Sequence, residues 1–165
     1  MLSEKMQAAL NGQIIKEMES AYIYLQMAAE SDRLGLPGFC NWFRMQYSEE
    51  LGHAERFFNF VLERDGEVQL ESIARPEIAE ESPLSLFEKA LEHEQYISRC
   101  IFELKDLAKQ ESDHATDVFL EWFVTEQVEE EAAAQAVIDQ LRLVEGSPNG
   151  LFMIDRELAS RQAGG

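Results

Sequence analysis

The chain has 165 residues, 45% of them hydrophobic, and its 32 acidic and 14 basic side chains give a formal net charge of −18. This length and apolar content argue against disorder and suit one domain, residues 1–165, with a sizeable core. The acidic excess argues against nucleic-acid or anionic-membrane partners, since both require basic surfaces, and it favours partners that are cations.

Four long helices and a short fifth are predicted in chain order, separated by helix-breaking residues. Ser3 is suited to cap the first helix, and Gly35 with Pro37 ends it. Gly66 ends the second helix, and a Ser-Pro pair begins both the third and the fifth. The predicted helical ranges are about 3–34, 38–65, 83 to 109–111, 113–145 and 149–160.

The connections between these helices predict their directions. The first and second helices are joined by a short link, as are the third and fourth, so each pair should be antiparallel. Residues 68–82 have no clean helical period and contain Pro76, and Pro83 follows them directly, which indicates a long crossover. About 15 residues at roughly 3.3 Å each can follow a helix about 42 Å long, which permits the second and third helices to run parallel. The prediction is an all-α four-helix bundle with one long crossover.

Each long helix has one apolar stripe, with residues spaced by threes and fours and acidic residues in its middle. Because the helices have similar lengths, these acidic residues should meet in one layer. Buried carboxylates are costly unless something neutralises them, and metal coordination is a common remedy. Inward-facing Glu and Glu-x-x-His residues are the ligand pattern of di-iron carboxylate bundles. The stripes carry Glu17, then Glu50 and His53, then Glu94, and finally Glu126 and Glu130.

The types of ligand narrow the choice of metal. Several carboxylates with one imidazole make a hard, oxygen-rich site. Structural zinc sites prefer Cys and His, and calcium sites are built on flexible loops, so iron or manganese fits a rigid bundle better. Glu50 is expected to bridge two metals about 3.5–4 Å apart. Tyr24, seven residues after Glu17 on the same face, is placed to reach a bound oxygen species.

Some of these residues also have ordinary explanations. A glutamate on any one helix could lie at the edge of its stripe and reach water. This explanation is poor for glutamates on all four helices together. The acidic run at 129–131 is typical of a solvated face. Glu130 shares the apolar stripe and is retained as a ligand, whereas Glu131 is expected to face solvent. His93 and His114 fall off the stripes and are expected to be exposed or hydrogen-bonded polar residues.

Cysteine usage and hydropathy indicate the compartment. Cys40 and Cys100 lie in predicted helices and form no Cys-x-x-Cys pair, which favours free thiols in a reducing environment over a disulfide. No apolar run approaches the roughly 20 residues needed to span a bilayer. The N-terminal residues lack the apolar region of a signal peptide. We therefore expect a cytoplasmic protein without a membrane partner.

At these positions the chain resembles the bacterial non-haem ferritins over essentially its full length. The resemblance implies a ferritin-like bundle over about 3–145, with a short C-terminal fifth helix over about 149–160. It also implies oxidation of Fe²⁺ by O₂ or H₂O₂ and storage of ferric mineral inside a homo-oligomeric shell of 24 subunits. The matching residues are Glu17 with Tyr24, Glu49-Glu50-x-x-His53, Glu94 and Glu126-Gln127-x-Glu129-Glu130.

The same resemblance implies a role for each site residue. Two iron sites form the ferroxidase centre, with Tyr24 and Gln127 as further catalytic residues beside it, and a third iron site lies on the inner face. The first iron site matches Glu17, Glu50 and His53; the second matches Glu50, Glu94 and Glu130; the third matches Glu49, Glu126, Glu129 and Glu130.

Differences from neighbouring families narrow the resemblance. Bacterioferritins and rubrerythrins have a second Glu-x-x-His where this chain has Gln127-x-x-Glu130. Bacterioferritins bind haem through a Met at the position that Leu51 occupies here, so no haem is expected. Rubrerythrins add a Cys-x-x-Cys iron domain, which this sequence lacks.

Expectations for assembly and iron entry follow from the same resemblance. Asp117 and Glu121 would line a pore at a threefold junction, although both also fit an ordinary solvated helix face. The fifth helix is too short to be stable alone. Its apolar face, formed by Leu151, Ile154 and Leu158, is expected to pack against symmetry mates.

Two other functions stay open at this point. One is a bundle oxygenase or peroxidase that keeps a stable di-iron cofactor and acts on an organic substrate; such enzymes usually need a substrate cavity and often a second His ligand. The other is an acidic scaffold without metal, which leaves the glutamates in the stripes unexplained. Aerobic Fe²⁺ titration separates the three functions, because many irons per subunit indicate storage, two a cofactor and none a scaffold.

Overall fold

The computed structural model describes residues 2–79 and 82–162. No strand occurs in these ranges, which confirms the all-α prediction, and the helix ends lie within two residues of the predicted ones. The helices are α1 (Glu4–Arg33), α2 (Pro37–Glu63), α3 (Pro83–Gln110), α4 (His114–Leu143) and α5 (Pro148–Leu158).

The predicted caps are present at the helix ends. The side chains of Ser3, Ser82 and Ser147 each accept a hydrogen bond from an N–H in the first turn of α1, α3 and α5. These N–H groups have no partner within the helix, so the caps stabilise the first turn. Gly35 follows α1 with φ +77°, a left-handed conformation that glycine adopts without a steric penalty.

Contacts between the long helices give the topology of the bundle. Ser3, before α1, lies 2.6 Å from a carboxylate oxygen of Glu111 after α3, so α1 and α3 are antiparallel. Arg64, after α2, pairs at 3.1 Å with Asp113 before α4, so α2 and α4 are antiparallel too. Because the short link makes α1 and α2 antiparallel, α2 and α3 run parallel, as the crossover permits.

The described part of the crossover has no regular secondary structure and lies along α1. The Asn11 side chain donates to the carbonyl of Glu67 at 2.9 Å and accepts from the N–H of Gln69 at 3.1 Å. Gln7 accepts from the N–H of Glu67 at 2.8 Å. Side chains of α1 thus satisfy backbone groups that a connection without regular structure leaves unpaired.

The core consists of two apolar clusters, one toward each end of the bundle. Phe43 and Phe87 are fully buried in the first cluster, and Phe57 and Met6 are fully buried in the second. Their side chains fill the bundle ends where the stripes are apolar on every helix. The middle of the bundle is left for polar residues.

Helix α5 packs differently from the expectation. Ile154 and Leu158 are only 5% and 7% exposed within the single chain, where they join the first apolar cluster. The prediction that this face is buried by symmetry mates is therefore wrong for these two residues. Phe152 and Met153 point away, at 61% and 71% exposed. The helix was assigned to an intermolecular contact because its sequence does not reveal that it folds back onto α2.

The described residues contain no helix that is both long and apolar enough to cross a membrane.

Candidate metal centre

A layer of buried polar side chains separates the two apolar clusters, and all four long helices contribute to it. None of its members is more than 6% exposed. Bundle interiors normally exclude carboxylates that lack partners, so this layer marks the candidate site. Its members are Gln13 and Glu17 from α1, Gln46, Glu50 and His53 from α2, Glu94 from α3, and Gln127 and Glu130 from α4.

Glu17, Glu50 and His53 meet where α1 faces α2. His53 Nδ1 lies 3.3 Å from Glu50 Oε2 and 3.9 Å from Glu17 Oε2. One ligand atom from each of the three residues lies within 4.8 Å of the other two. The i, i+3 spacing puts Glu50 and His53 on one face of α2, and Glu17 approaches from the neighbouring helix. The geometry suits three ligands of a single cation.

Glu94 lies on the opposite side of the layer and is held by two donors. The Tyr24 hydroxyl donates to Glu94 Oε1. The Gln127 side-chain amide donates to Glu94 Oε2 at 3.1 Å and to the Glu94 backbone carbonyl at 3.2 Å. Tyr24 and Gln127 therefore contact a predicted ligand directly, and both fix the direction of its carboxylate.

Glu130 links the layer to the fourth helix. Its Oε2 accepts a hydrogen bond of 2.7 Å from the Gln46 side-chain amide. Ligand atoms of His53, Glu126 and Glu130 also lie within 4.8 Å of one another. The imidazole thus borders two groups of carboxylates, and Glu126 adds a partly buried oxygen at the edge of the layer.

Burial raises the pKa of every carboxyl in this layer. Desolvation is the largest cause for Glu17 and Glu50, and the charges of nearby carboxylates raise the pKa of Glu50 further. Burial and the charge of Glu130 raise the pKa of Glu94 to about 8. Burial raises the pKa of Glu130 to about 7. Without a cation the layer therefore holds protons near neutral pH.

The imidazole and the carboxylate oxygens are prepared to receive a cation. Burial and, to a smaller extent, the charge of Arg56 lower the pKa of His53 to about 4, so the ring is neutral at pH 7, the form that binds metals. Glu17 Oε2 and Glu50 Oε2 are buried without a hydrogen-bond donor. No Lys or Arg within residues 2–79 and 82–162 forms an ion pair with Glu17, Glu50 or Glu94. A bound cation would satisfy these acceptors.

The residues predicted for a third site lie at the edge of the layer. Burial raises the pKa of Glu126, and the negative charges of Glu129 and Glu49 raise it further, so these carboxylates interact electrostatically. Glu49 Oε2 lies 2.9 Å from Arg161 Nη2. Among the described residues, neither Glu49 nor Glu129 belongs to a group with ligand atoms within 4.8 Å of one another. The structure brings these residues near Glu130 without gathering them into one compact site.

Three residues of this neighbourhood were missed as site residues. Gln13 donates to Glu17 Oε1 at 2.7 Å, Gln46 donates to Glu130, and Arg161 contacts Glu49. Gln13 lies four residues before Glu17, and Gln46 four before Glu50, so the i, i+4 spacing was an available signal. The sequence offered no such signal for Arg161, because the position of this residue depends on how α5 folds back.

Two residues outside the predicted site, one on α3 and one on α4, are partly buried. His93 Nε2 lies 2.7 Å from Ser20 Oγ, and its ring meets that of Tyr24 edge-on, so it is a hydrogen-bonded polar residue close to the layer. Glu131 was expected to face solvent, but it accepts a hydrogen bond from Ser98. Ser98 lies on α3 and faces α4, and the sequence of α4 alone does not reveal that contact.

Comparison with known proteins finds a matching family model, similar relatives and similar solved structures. The family model described as a ferritin-like domain matches residues 7–144. A bacterial non-heme ferritin of Bacteroides fragilis is 40% identical over 161 residues, which cover 98% of this chain and all of that protein. One of Staphylococcus aureus is 35% identical over 98% of this chain and 97% of its own length. An open-pore ferritin of the archaeon Archaeoglobus fulgidus is 48% identical, with a TM-score of 0.97 over 98% of this chain and all of that structure.

Proposed function

The chain belongs to the ferritin family and stores iron, and from that premise we propose that it is itself the ferroxidase, oxidising Fe²⁺ at a di-iron centre formed by the buried layer. The observation that carries this proposal is the position of Glu50. Its carboxyl contacts His53 on one side, and the charges of Glu94, Glu17 and Glu130 all act on it. A carboxylate in that position suits a bridge between two ions.

Each of the two ions would be held by three ligands, with Glu50 common to both sets. The first would be held by Glu17, Glu50 and His53, which already lie within 4.8 Å of one another. The second would be held by Glu50, Glu94 and Glu130. Iron is the substrate here: two Fe²⁺ give up one electron each, and O₂ takes both with two protons to form H₂O₂. If H₂O₂ is the oxidant, it takes the same electrons and two protons to form two waters.

The pKa shifts support a coupling between iron binding and proton release. The pKa values of Glu94 and Glu130, about 8 and about 7, keep Glu94 mostly protonated and Glu130 about half protonated at neutral pH. Each must lose its proton to bind Fe²⁺, because only the carboxylate is a strong ligand. His53 is already neutral and has no proton to release. The layer thus exchanges protons for metal ions and keeps its buried charge small in both states.

Tyr24 and Gln127 are proposed to position Glu94 and to adjoin the reacting oxygen species. Both donate hydrogen bonds to the Glu94 carboxylate. Burial and the charge of Glu94 hold the pKa of the Tyr24 hydroxyl well above its usual range, so it keeps its proton at neutral pH. A protonated phenol can donate a hydrogen bond to the Glu94 carboxylate both before and after that carboxylate binds iron.

We also propose a third iron site and a shell. We propose that Glu49, Glu126, Glu129 and Glu130 hold iron on its way from the di-iron centre to the interior. The shell is proposed to be a homo-oligomer of 24 single-domain subunits in the cytoplasm. The resemblance to bacterial non-haem ferritins supports both steps. The net charge of −18 favours cations as cargo.

Aerobic Fe²⁺ titration with native mass measurement tests this function. The full chain should form a large assembly, oxidise two Fe²⁺ per subunit rapidly, and then accumulate many more. A capacity that stops at two would indicate a resident di-iron cofactor, as in an oxygenase or peroxidase. A monomeric native mass at micromolar concentration would contradict the shell and the storage of mineral together.

A further inference from the structure

The segment after α5 is fixed against the start of α2 by a set of hydrogen bonds. Asp155 Oδ1 accepts from the backbone N–H of Gly38 at 2.7 Å and of Phe39 at 3.1 Å. The Asn41 side-chain amide donates to the carbonyls of Leu158 and Arg161, at 3.1 and 3.0 Å. The segment 159–161 therefore has a defined path along α2, and it carries Arg161 toward the carboxylates.

The guanidinium of Arg161 is held in a specific environment. Its Nη2 lies 2.9 Å from Glu49 Oε2 and also donates to Gln46 Oε1. Its Nη1 is 3.4 Å from the Trp42 carbonyl, and the group lies 4.4 Å from the centre of the Trp42 ring. The side chains of Arg161 and Glu49 are 22% and 12% exposed. A sheltered, charge-assisted pair of this kind is stronger than an exposed ion pair.

Gln46 connects this guanidinium to a proposed iron ligand. Arg161 donates to Gln46 Oε1, which leaves Gln46 Nε2 to donate to Glu130 Oε2 at 2.7 Å. The reverse orientation of the amide would point its NH₂ group at a guanidinium, which has no acceptor. Arg161 thus sets the direction of the Gln46 amide and contacts Glu49 at the same time.

We propose that Arg161 is a displaceable internal cation, which competes with the third iron for Glu49. This inference rests on the third site of the proposed function. A guanidinium keeps its charge at any physiological pH, so a divalent cation on the same carboxylate would be repelled while Arg161 remains in place. Filling the third site would therefore release Arg161 from Glu49 and from the Trp42 ring. The C-terminal segment would keep the site closed to cations that bind weakly.

The test measures binding of a redox-inactive ion by calorimetry, using Zn²⁺ and the full assembled chain. Arg161→Ala and Arg161→Gln should each tighten the third Zn²⁺ step about tenfold, the equivalent of about 1.4 kcal/mol, and leave unchanged the first step, at Glu17, Glu50 and His53. Arg156→Ala is the matched control, because Arg156 is exposed on α5 and lies 6.0 Å from the Phe152 ring. Glu49→Gln should remove the third step, which distinguishes that step from weaker binding of Zn²⁺ at the surface.

A second readout follows the displacement itself. In a Trp122→Phe background, Trp42 is the remaining tryptophan of the two in the sequence, and its emission should change in parallel with the third Zn²⁺ step. The change should be absent when Arg161 is replaced by Ala. The competition would be overturned if both Arg161 variants bind the third Zn²⁺ with unchanged or weaker affinity. It would also be overturned if Trp42 emission does not change during that step. If the wild type binds no third Zn²⁺, the third site fails while the di-iron proposal stands.

Discussion

Two groups of carboxylates, one inside the buried layer and one at its edge, differ sharply in what neutralises them. The buried group, Glu17, Glu50 and Glu94, is at most 2% exposed and forms no ion pair with Lys or Arg in the described part of the chain. The edge group, Glu49, Glu126 and Glu129, is reached by solvent and by Arg161. Neighbouring carboxylates surround both groups, so burial accounts for the difference.

The depth of a carboxylate in the bundle therefore determines what a cation must displace to bind it. Cations that enter the buried group must replace protons, because desolvation holds those pKa values high. A cation that reaches Glu49 must instead displace the guanidinium of Arg161. Glu130 lies between the two groups: it is 6% exposed, and burial together with the charge of Glu49 raises its pKa to about 7.

The largest expected effect comes from removing a buried ligand. Glu50→Ala should slow rapid Fe²⁺ oxidation by more than about 100-fold, beyond the usual loss for residues that only orient a ligand, because Glu50 would contact both ions. His53→Ala should act similarly. The Glu50→Ala apo-protein should stay folded, with equal or greater stability, because a desolvated carboxyl is removed, and the His53→Ala apo-protein should stay folded as well. Stopped-flow oxidation and thermal melts check both outcomes.

Glu55→Ala is the control for that pair, since Glu55 is exposed on the same helix. It should leave oxidation unchanged. Normal oxidation in Glu50→Ala, or an apo-protein that no longer folds, would contradict the division into a buried and an edge group.

The second effect is a pH dependence confined to the buried group and Glu130. Between pH 6.5 and 8 the unfolded glutamates are ionised, whereas the folded protein still binds protons at Glu94 and Glu130 until their pKa values of about 8 and about 7. Apo-protein stability should therefore fall as pH rises through this window. Affinity for the first two Zn²⁺ should rise by up to about tenfold per pH unit for each proton displaced.

Below pH 6.5 the imidazole acts in the opposite direction. The pKa of His53 in the folded state is about 4, so its contribution to stability declines as pH falls from 6.5 toward 4. Calorimetry in buffers of different ionisation enthalpy measures the protons released. Glu94→Gln should flatten the rise in Zn²⁺ affinity, and a steep rise that persists in this variant would assign the protons elsewhere.

A smaller effect is expected at the edge group. Glu49→Gln combined with Glu129→Gln should slow turnover after the first irons by roughly threefold to tenfold, or change the Fe:O₂ ratio, while the first two-iron step keeps its rate. The reason is that neither residue is a proposed ligand of the first two ions. Oxygen-electrode and stopped-flow measurements on the same samples separate the steps. Loss of the first step would show that the two groups act as one.

The smallest effect is expected at Asp117 and Glu121. Asp117 pairs with Lys105 at 2.7 Å, and Glu121 lies 3.8 Å from the same ammonium group, so part of their charge is already neutralised. Asp117→Asn with Glu121→Gln should slow iron uptake less than about threefold at low salt, and less at high salt because the field is screened. Uptake measured across ionic strengths checks this, and a large loss would assign a pore to these residues despite Lys105.

The sequence determined the helical elements and the depth of the buried group. Apolar residues spaced by threes and fours predicted four long helices, and serine caps and glycines placed their ends, because these signals act within one or two turns. Glu17, Glu50, His53 and Glu94 each lay mid-stripe, and helices of similar length bring mid-stripe positions to one level. Their roles as iron ligands remain a prediction, which the variants above test.

Only the tertiary structure decided what surrounds those residues. The stripe of α4 could not reveal that Ser98 contacts Glu131, and the composition of α5 could not reveal that it folds back to bury Ile154. Arg161 reaches Glu49 across more than one hundred residues of sequence. Such contacts depend on how elements dock, and docking is governed by the summed packing of both clusters and not by any local pattern.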